Sequence, residues 1–99
     1  SDKAKVFGIK SGQVALLLDN ELQEEKGIYE DGQVYLPVDW VNQHLNQRFY
    51  WDEGEKLLLM LRAEDGEAYI VPADQNREPV YLNATLERLL PRVQFVYDI

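Results

Sequence analysis

The chain repeats one pattern of residues at a constant spacing, and this repeat constrains the fold more than any other feature. Val34-Tyr35-Leu36 opens a segment that reaches Phe49-Tyr50-Trp51-Asp52, and Val80-Tyr81-Leu82 opens another that reaches Phe95-Val96-Tyr97-Asp98. Corresponding positions lie 46 residues apart throughout. A repeat of this length is one supersecondary unit, which buries its apolar face against a neighbouring unit. The sequence therefore predicts two related units.

Two hairpin turns are predicted before and at the start of the first repeat. Asp19-Asn20 follows the apolar residues 14–18, and Asp31-Gly32 precedes the first repeat. Both dipeptides are typical of hairpin turns, because Asn, Asp and Gly tolerate the backbone angles that such turns need. The polar residues 21–25 lie between the turns and predict a strand at a solvated edge of the sheet.

Pro37 marks the change from strand to helix in the first unit. Proline fits the first turn of a helix, where its missing N–H is not needed. Val38, Val41 and Leu45 follow at helical spacing, and Asn42 is predicted to face solvent. In the second unit, Asn83 is predicted to cap the corresponding helix, and its apolar side carries three leucines: Leu86, Leu89 and Leu90.

These patterns predict an α+β fold. We expect two related strand-helix-strand units, with an antiparallel or mixed sheet and one short helix per unit. Residues 1–13 are expected to form an N-terminal segment that is partly flexible. Residues 14–71 would form the first unit, and residues 72–99 a second, shorter or truncated unit that shares the core of the first.

Composition limits the classes of partner. Eighteen acidic residues against ten basic ones give a net charge of −8, which disfavours nucleic acid and anionic membranes, because phosphate binding depends on clustered Lys and Arg. There is no Cys, so disulfides and thiolate metal sites are excluded. The longest wholly apolar runs, 14–18 and 57–61, are far too short to span a bilayer. A signal or membrane anchor is expected elsewhere in a longer protein.

The first unit resembles a known module. The run Asp31-Gly32-Gln33-Val34-Tyr35-Leu36-Pro37, a short amphipathic helix, and then Phe49-Tyr50-Trp51-Asp52 with an apolar strand are similar to the stalk domain at the N-terminus of copper amine oxidases. Residues 19–25 are most similar to the segment before the catalytic barrel in some clostridial glycoside hydrolase family 18 proteins, which often carry an SH3-like segment too. The resemblance is weaker in the second unit, where Asn83 replaces the proline of the family and Tyr97 its tryptophan.

The resemblance implies a non-catalytic extracellular domain that spaces, orients or docks an attached cell-envelope enzyme. That enzyme would be a family 18 glycoside hydrolase acting on chitin-like or peptidoglycan-like glycans of a Gram-positive bacterium. The full-length protein would be secreted or anchored in the membrane. The module is not catalytic in its family, so it implies no active-site residues. No cofactor or metal is expected either, because a copper site needs several imidazoles and the chain has only His44.

Catalysis by this chain is not expected from its residues. The only serines, Ser1 and Ser11, both lie near a terminus, and there is no Cys, so a Ser or Cys nucleophile triad is not expected. Residues 52–55 and 64–67 are rich in carboxylates, but an acid catalyst of glycoside hydrolysis needs burial that raises its pKa, which open turns do not provide. Residues 52–55 also lack the alternating ligand spacing of a calcium loop.

The aromatic side chains are the better functional candidates. Strand alternation places Phe49 and Trp51 on one face and Tyr50 on the other, and the repeat predicts a shared aromatic core of Phe49, Trp51, Phe95 and Tyr97. Trp40 and Tyr50 are predicted as surface residues. They would suit a glycan-binding module that stacks chitin or peptidoglycan sugars, or contact with a protein. A third hypothesis is oligomerisation through a strand edge such as residues 21–25; the oligomeric state stays open.

Overall fold

The computed structural model describes residues 2–45, 48–85 and 92–97 of the chain. Its elements follow in this order: α1 (Asp2–Phe7), β1 (Gln13–Leu18), β2 (Glu21–Glu30), β3 (Gln33–Pro37), α2 (Val38–His44), β4 (Phe49–Asp52), β5 (Leu57–Leu61), β6 (Ala68–Val71), β7 (Ala73–Asp74), β8 (Tyr81–Asn83) and β9 (Val93–Tyr97). The fold is α+β, as predicted, and most of its elements are strands. The second predicted helix, with Leu86, Leu89 and Leu90, lies outside the described residues.

The strands form two sheets. Sheet A has six strands in the order β7-β8-β3-β2-β1-β9, and sheet B has three in the order β4-β5-β6. Every pair of neighbouring strands in these ladders is antiparallel. Of the antiparallel and mixed arrangements that the sequence left open, the antiparallel one is therefore found.

Both predicted hairpin turns are confirmed. Asp19 and Asn20 have φ angles of 50° and 70°, and Asp31 and Gly32 have φ angles of 52° and 76°. Two consecutive positive φ angles match the right-handed twist of the strands that a two-residue turn connects. The turns fold β1, β2 and β3 into a meander in the middle of sheet A.

The predicted edge position of β2 is wrong. β2 lies between β1 and β3, because Ile28 and Tyr29 continue the strand beyond its polar part and pair with Tyr35 and Val34. The polar residues 21–25 are only half of this ten-residue strand. In the described ladders, Glu21, Leu22 and Lys26 pair with β1 alone, and the register shifts between Ala15 and Leu17. The polar pattern therefore marks an overhanging half strand and not the edge of the sheet.

The main core lies where sheet A, sheet B and α2 meet. Its buried members come from all three elements and from the residue after β8: Val14, Leu16, Val34, Leu36, Val38, Trp40, Val41, Phe49, Leu58, Leu82 and Ala84. Trp51, Phe95 and Tyr97 are partly buried and pack against this cluster. Together with Phe49 they form the aromatic core that the repeat predicts. The ring of Tyr97 also meets that of Tyr29 edge to face, with 5.0 Å between centroids.

A smaller cluster covers part of the opposite face of sheet A. Ala4 on α1 and Ile9 after it are buried with Ala15 of β1, and Phe7 and Val96 pack against them. The helix ends at Phe7, and the φ of 66° at Gly8 lets the N–H of Ile9 donate to the carbonyl of Ala4 over 3.0 Å. The residue pattern does not predict this helix, since six residues are too few for a periodic signal.

Residues 46 positions apart meet in the centre of sheet A. Leu36 of β3 pairs directly with Leu82 of β8, and both side chains are fully buried. Two backbone hydrogen bonds flank this pair at positions related by the same spacing: the N–H of Val38 donates to the carbonyl of Val80 over 2.9 Å, and the N–H of Ala84 to the carbonyl of Val34 over 2.8 Å. β3 and β8 therefore make equivalent hydrogen bonds to each other, at positions 46 residues apart.

Gly27 allows β2 to lie close to β3, and its replacement by alanine is expected to be destabilising. A Cβ at this position would lie 2.9 Å from Cδ2 of Leu36 and 3.0 Å from the carbonyl oxygen of Tyr35. Overpacking of this kind should lower the free energy of unfolding by about 1–3 kcal/mol, as measured by urea unfolding. Gly54→Ala is the matched control, because its Cβ would meet only Asp52 Oδ1 at 3.4 Å. Equal stability of the two variants would contradict this packing.

Candidate functional site

Sheet B has one face in the core and one face in solvent. On the solvent side, Tyr50 of β4 pairs with Leu59 of β5, and Leu59 pairs with Ile70 of β6. Directly paired residues share a face of the sheet, so these side chains form a row across all three strands. Tyr50 is 63% exposed and Ile70 is 68% exposed, and Leu61, two residues after Leu59, is 53% exposed. We call Tyr50, Leu59, Leu61 and Ile70 the outer face of sheet B.

The sequence of β5 explains why this face is apolar. The strand reads LLLML, with an apolar residue at every position. Such a run is typical of a strand that is covered on both faces. Leu58 is buried and Met60 packs against the main core, whereas Leu61 on the opposite side is more than half exposed. Within the described part of the chain, β5 therefore has one covered face and one apolar face in contact with solvent.

Helix α2 holds β4 in place through Asn42. The side-chain amide nitrogen of Asn42 donates to the carbonyl of Phe49 over 2.7 Å, and its oxygen accepts the N–H of Phe49 over 3.2 Å. The prediction that Asn42 faces solvent is therefore wrong. An amide side chain carries both a donor and an acceptor, so it can pair with the backbone of an edge strand. This contact fixes Tyr50, the next residue, on the outer face.

An acidic turn flanks the outer face at the start of β5. Glu53 forms an ion pair with Lys56 and accepts a hydrogen bond from Trp51 Nε1 over 2.6 Å. These contacts, above all that with Lys56, hold the pKa of Glu53 below its usual value. Asp52 Oδ1 accepts the N–H of Glu55 over 3.0 Å. The carboxylates at 52–53 thus shape the turn beside the apolar row.

A second acidic turn lies at the other end of β5. Asp65 accepts the hydroxyl of Tyr69 over 2.5 Å and the N–H of Glu67 over 2.9 Å. The hydrogen bond from Tyr69 is the main reason why the pKa of Asp65 lies below its usual value. The guanidinium of Arg62 lies 4.7 Å from the centroid of the Tyr69 ring. Residues 48–71 carry six acidic and three basic side chains, so the outer face lies in an acidic surrounding.

Trp40 does not belong to any exposed surface. It is 1% exposed, and the prediction that it is a surface residue is wrong. Helix α2 lies against both sheets, so its buried side includes Val38, Trp40 and Val41 and is wider than the predicted stripe. The indole N–H donates to Gln23 Oε1 over 3.3 Å, and the ring lies 5.4 Å from that of His44. Of the two predicted surface aromatics, only Tyr50 can be reached by a ligand.

Among the described residues, no three or more His, Cys, Asp or Glu side chains are placed to hold a metal ion. No helix within residues 2–45, 48–85 and 92–97 has both the length and the apolar character needed to cross a membrane. The acidic turns are explained by their hydrogen bonds and ion pair.

Sequence reasoning identified Tyr50 but missed the other residues of the outer face. Leu59 and Leu61 belong to a run that predicts a buried strand, and Ile70 lies in a short apolar strand of its own. The available signal was the combination of an all-apolar strand with acidic turns at both ends. Comparisons of the chain with known protein families, with curated proteins and with solved structures found no match.

Proposed function

We propose that the chain is a non-catalytic extracellular accessory domain that spaces, orients or docks an enzyme attached to it. The observation that carries this proposal is the outer face of sheet B. Contiguous exposed apolar side chains on a small domain mark sites of interaction with another protein surface. Tyr50 and Ile70 are each more than 60% exposed and lie on the two outer strands of one row, which suits docking of a neighbouring domain.

The identity of the attached enzyme comes from the resemblance to stalk domains. On that basis we propose a family 18 glycoside hydrolase that acts on chitin-like or peptidoglycan-like glycans at the cell envelope, in a protein that is secreted or membrane-anchored. The net charge of −8 supports a role away from nucleic acid and anionic lipid. The domain would hold the catalytic domain in a fixed orientation.

The domain is further proposed to consist of two related strand-helix-strand units that share one core. The pairing of Ile28 with Tyr35 between β2 and β3 supports this, because Asp74 pairs with Tyr81 between β7 and β8 at positions 46 residues later. The two hydrogen bonds that flank the pair of β3 and β8 support it as well. Two units joined through a central strand pair would make a rigid body, as a spacer requires.

A glycan-binding module is the second candidate, and the exposure of Tyr50 is the observation in its favour. Tyrosine rings can stack on sugars. A sugar site also needs polar groups that bind the hydroxyls, and the neighbours of Tyr50 in the row are Leu59 and Ile70. Docking of a protein surface therefore accounts for more of the outer face than sugar stacking does.

Hydroxyl-radical footprinting of the longer protein and of the 99-residue domain tests the docking proposal. We expect the modification rates of Tyr50 and Ile70 to be several-fold lower when the enzyme is attached, because the enzyme would cover the outer face. Leu22, which is 49% exposed on β2, serves as the control and should react equally in both proteins. Equal rates at Tyr50 and Ile70 in the two proteins would contradict docking.

Cosedimentation with chitin and with Gram-positive cell wall separates the two candidates. The docking proposal predicts no saturable binding of the isolated domain up to roughly millimolar concentration, where the binding free energy is only about −4 kcal/mol. Saturable binding that is lost in Tyr50→Ala would favour the glycan-binding module instead. Hydrolysis of soluble chito-oligosaccharides by the isolated domain would overturn the non-catalytic assignment.

A further inference from the structure

We propose that the outer face of sheet B binds a short apolar segment that carries Lys or Arg, similar in chemistry to the segment around α1. This inference rests on the proposed function, since it names the chemistry of the surface that the docking face accepts. Two observations support the inference. Sheet A has a similar three-stranded surface that another segment of the chain covers, and the charges of that segment are opposite to those around the outer face of sheet B.

The covered surface is formed by β9, β1 and β2. Val96 pairs with Ala15, and Ala15 pairs with Lys26, in a row across three strands with β1 in the middle. Sheet B has the same arrangement, with β5 in the middle. In sheet A, two members of this row are covered by α1 and the residues that follow it: Ala4 and Ile9 are buried with Ala15, and Val96 packs against them. The segment around α1 therefore covers the apolar part of the row in sheet A, whereas in the described part of the chain Tyr50 and Ile70 of sheet B stay exposed.

The charges of the covering segment and of the uncovered row are opposite. Residues 2–10 carry three lysines and one aspartate, while Ala4, Phe7 and Ile9 pack on the sheet. The outer face of sheet B is flanked by acidic turns at 53–55 and 64–67, whose carboxylates are exposed. Opposite charges at the rim favour association and steer the approach of a partner, whereas like charges oppose it. A lysine-bearing apolar segment fits both the row and its rim.

A second copy of this chain fits less well as the occupant. Each copy has a net charge of −8, and two outer faces packed against each other would bring four acidic turns together. Such like-charge contacts are unfavourable, and more so at low ionic strength. The occupant is therefore assigned to a basic segment of a different domain or protein.

Titration of the isotope-labelled chain with two synthetic peptides tests the inference. One peptide has the sequence of residues 1–10, and in the other its three lysines are replaced by glutamate. The first peptide should produce saturable shifts of backbone amide signals in β4, β5 and β6 at roughly millimolar concentration. The peptide with glutamate in place of lysine should bind at least about tenfold more weakly at low salt. Equal binding of both peptides, or shifts centred on Ala15 and Val96, would overturn the proposal.

Two variants locate the bound peptide. Ile70→Asn removes an apolar side chain from the row and should weaken binding of the basic peptide by about tenfold or more. Leu22→Asn is the matched control, because Leu22 is an exposed leucine on the other sheet. This variant should bind the basic peptide with the same affinity as the unchanged chain. Full affinity in Ile70→Asn, with its spectrum outside sheet B unchanged, would place the peptide at a strand edge and overturn the assignment to this face.

The failure of this inference can be told apart from failure of the proposed function. If footprinting shows that the attached enzyme covers Tyr50 and Ile70 but neither peptide binds, docking stands and the chemistry of the partner is wrong. If footprinting shows no cover while the basic peptide binds to the outer face, the partner chemistry stands and the attached enzyme is not the partner.

Discussion

Replacement of Trp40 by alanine is expected to lower the free energy of unfolding by about 3–5 kcal/mol. The side chain is 1% exposed and lies in the main core between α2 and both sheets. Its removal takes away apolar contacts, leaves a cavity and frees the side-chain oxygen of Gln23 from its hydrogen bond. A domain of this size is stable by only about 5–15 kcal/mol, so the variant should be close to the limit of folding.

Urea unfolding followed by circular dichroism measures this loss, and Tyr50→Ala is the matched control. Tyr50 is also an aromatic residue, but it is 63% exposed, and its replacement should change the free energy of unfolding by less than about 0.5 kcal/mol. A destabilised Tyr50→Ala together with a nearly unchanged Trp40→Ala would contradict the positions of these two residues. Loss of wall binding in Trp40→Ala would report unfolding and could not identify a sugar site.

The parts of the fold that depend on local chemistry could be predicted from the sequence. Asp19-Asn20 and Asp31-Gly32 form turns because their residue types tolerate positive φ wherever they occur. Pro37 ends β3 directly before α2 begins at Val38, for a reason that involves only its own ring and its missing N–H. The alternation of Phe49, Tyr50 and Trp51 likewise follows from strand geometry alone. None of these features requires knowledge of a distant contact.

The errors concern features that distant contacts decide. Trp40 is buried because two sheets meet at α2, which widens the buried side of the helix beyond its periodic stripe. Asn42 faces Phe49 because β4 lies beside the helix. β2 is an interior strand because its last residues find β3. In each case the local pattern fits two positions, and only the assembled sheets select one of them.

The residues of the candidate site also divide into those that local chemistry predicts and those that distant contacts decide. Exposure of Tyr50 follows from alternation along β4, so the sequence could point to it. Ile70 and Leu61 are exposed because the described part of the chain covers only one face of β5, and an all-apolar strand carries no sign of which face that is. A residue pattern can show that a strand is built to be covered, but the identity of the cover depends on the rest of the assembly.

Replacement of Leu36 by alanine is expected to lower the free energy of unfolding by about 2–5 kcal/mol, and so is replacement of Leu82. Both side chains are fully buried, and they face each other as a direct cross-strand pair of β3 and β8. This pair connects residues 14–71 to residues 72–99, so the two variants test whether both parts share one core. Leu61→Ala is the control, because Leu61 is 53% exposed, and it should cost less than about 1 kcal/mol.

The losses of stability in Leu36→Ala and Leu82→Ala, compared with each other, show whether the two parts share one core. If the two parts share one core, truncation from either side removes the same contact, and each variant should unfold in a single cooperative transition. Leu36→Ala could instead lower the free energy of unfolding strongly while Leu82→Ala lowers it by less than about 1 kcal/mol. This result would mean that the core is complete without β8, which then only packs against its edge. Residues 72–99 would then be an attachment to one folded unit, and a rigid body made of two related units would be ruled out.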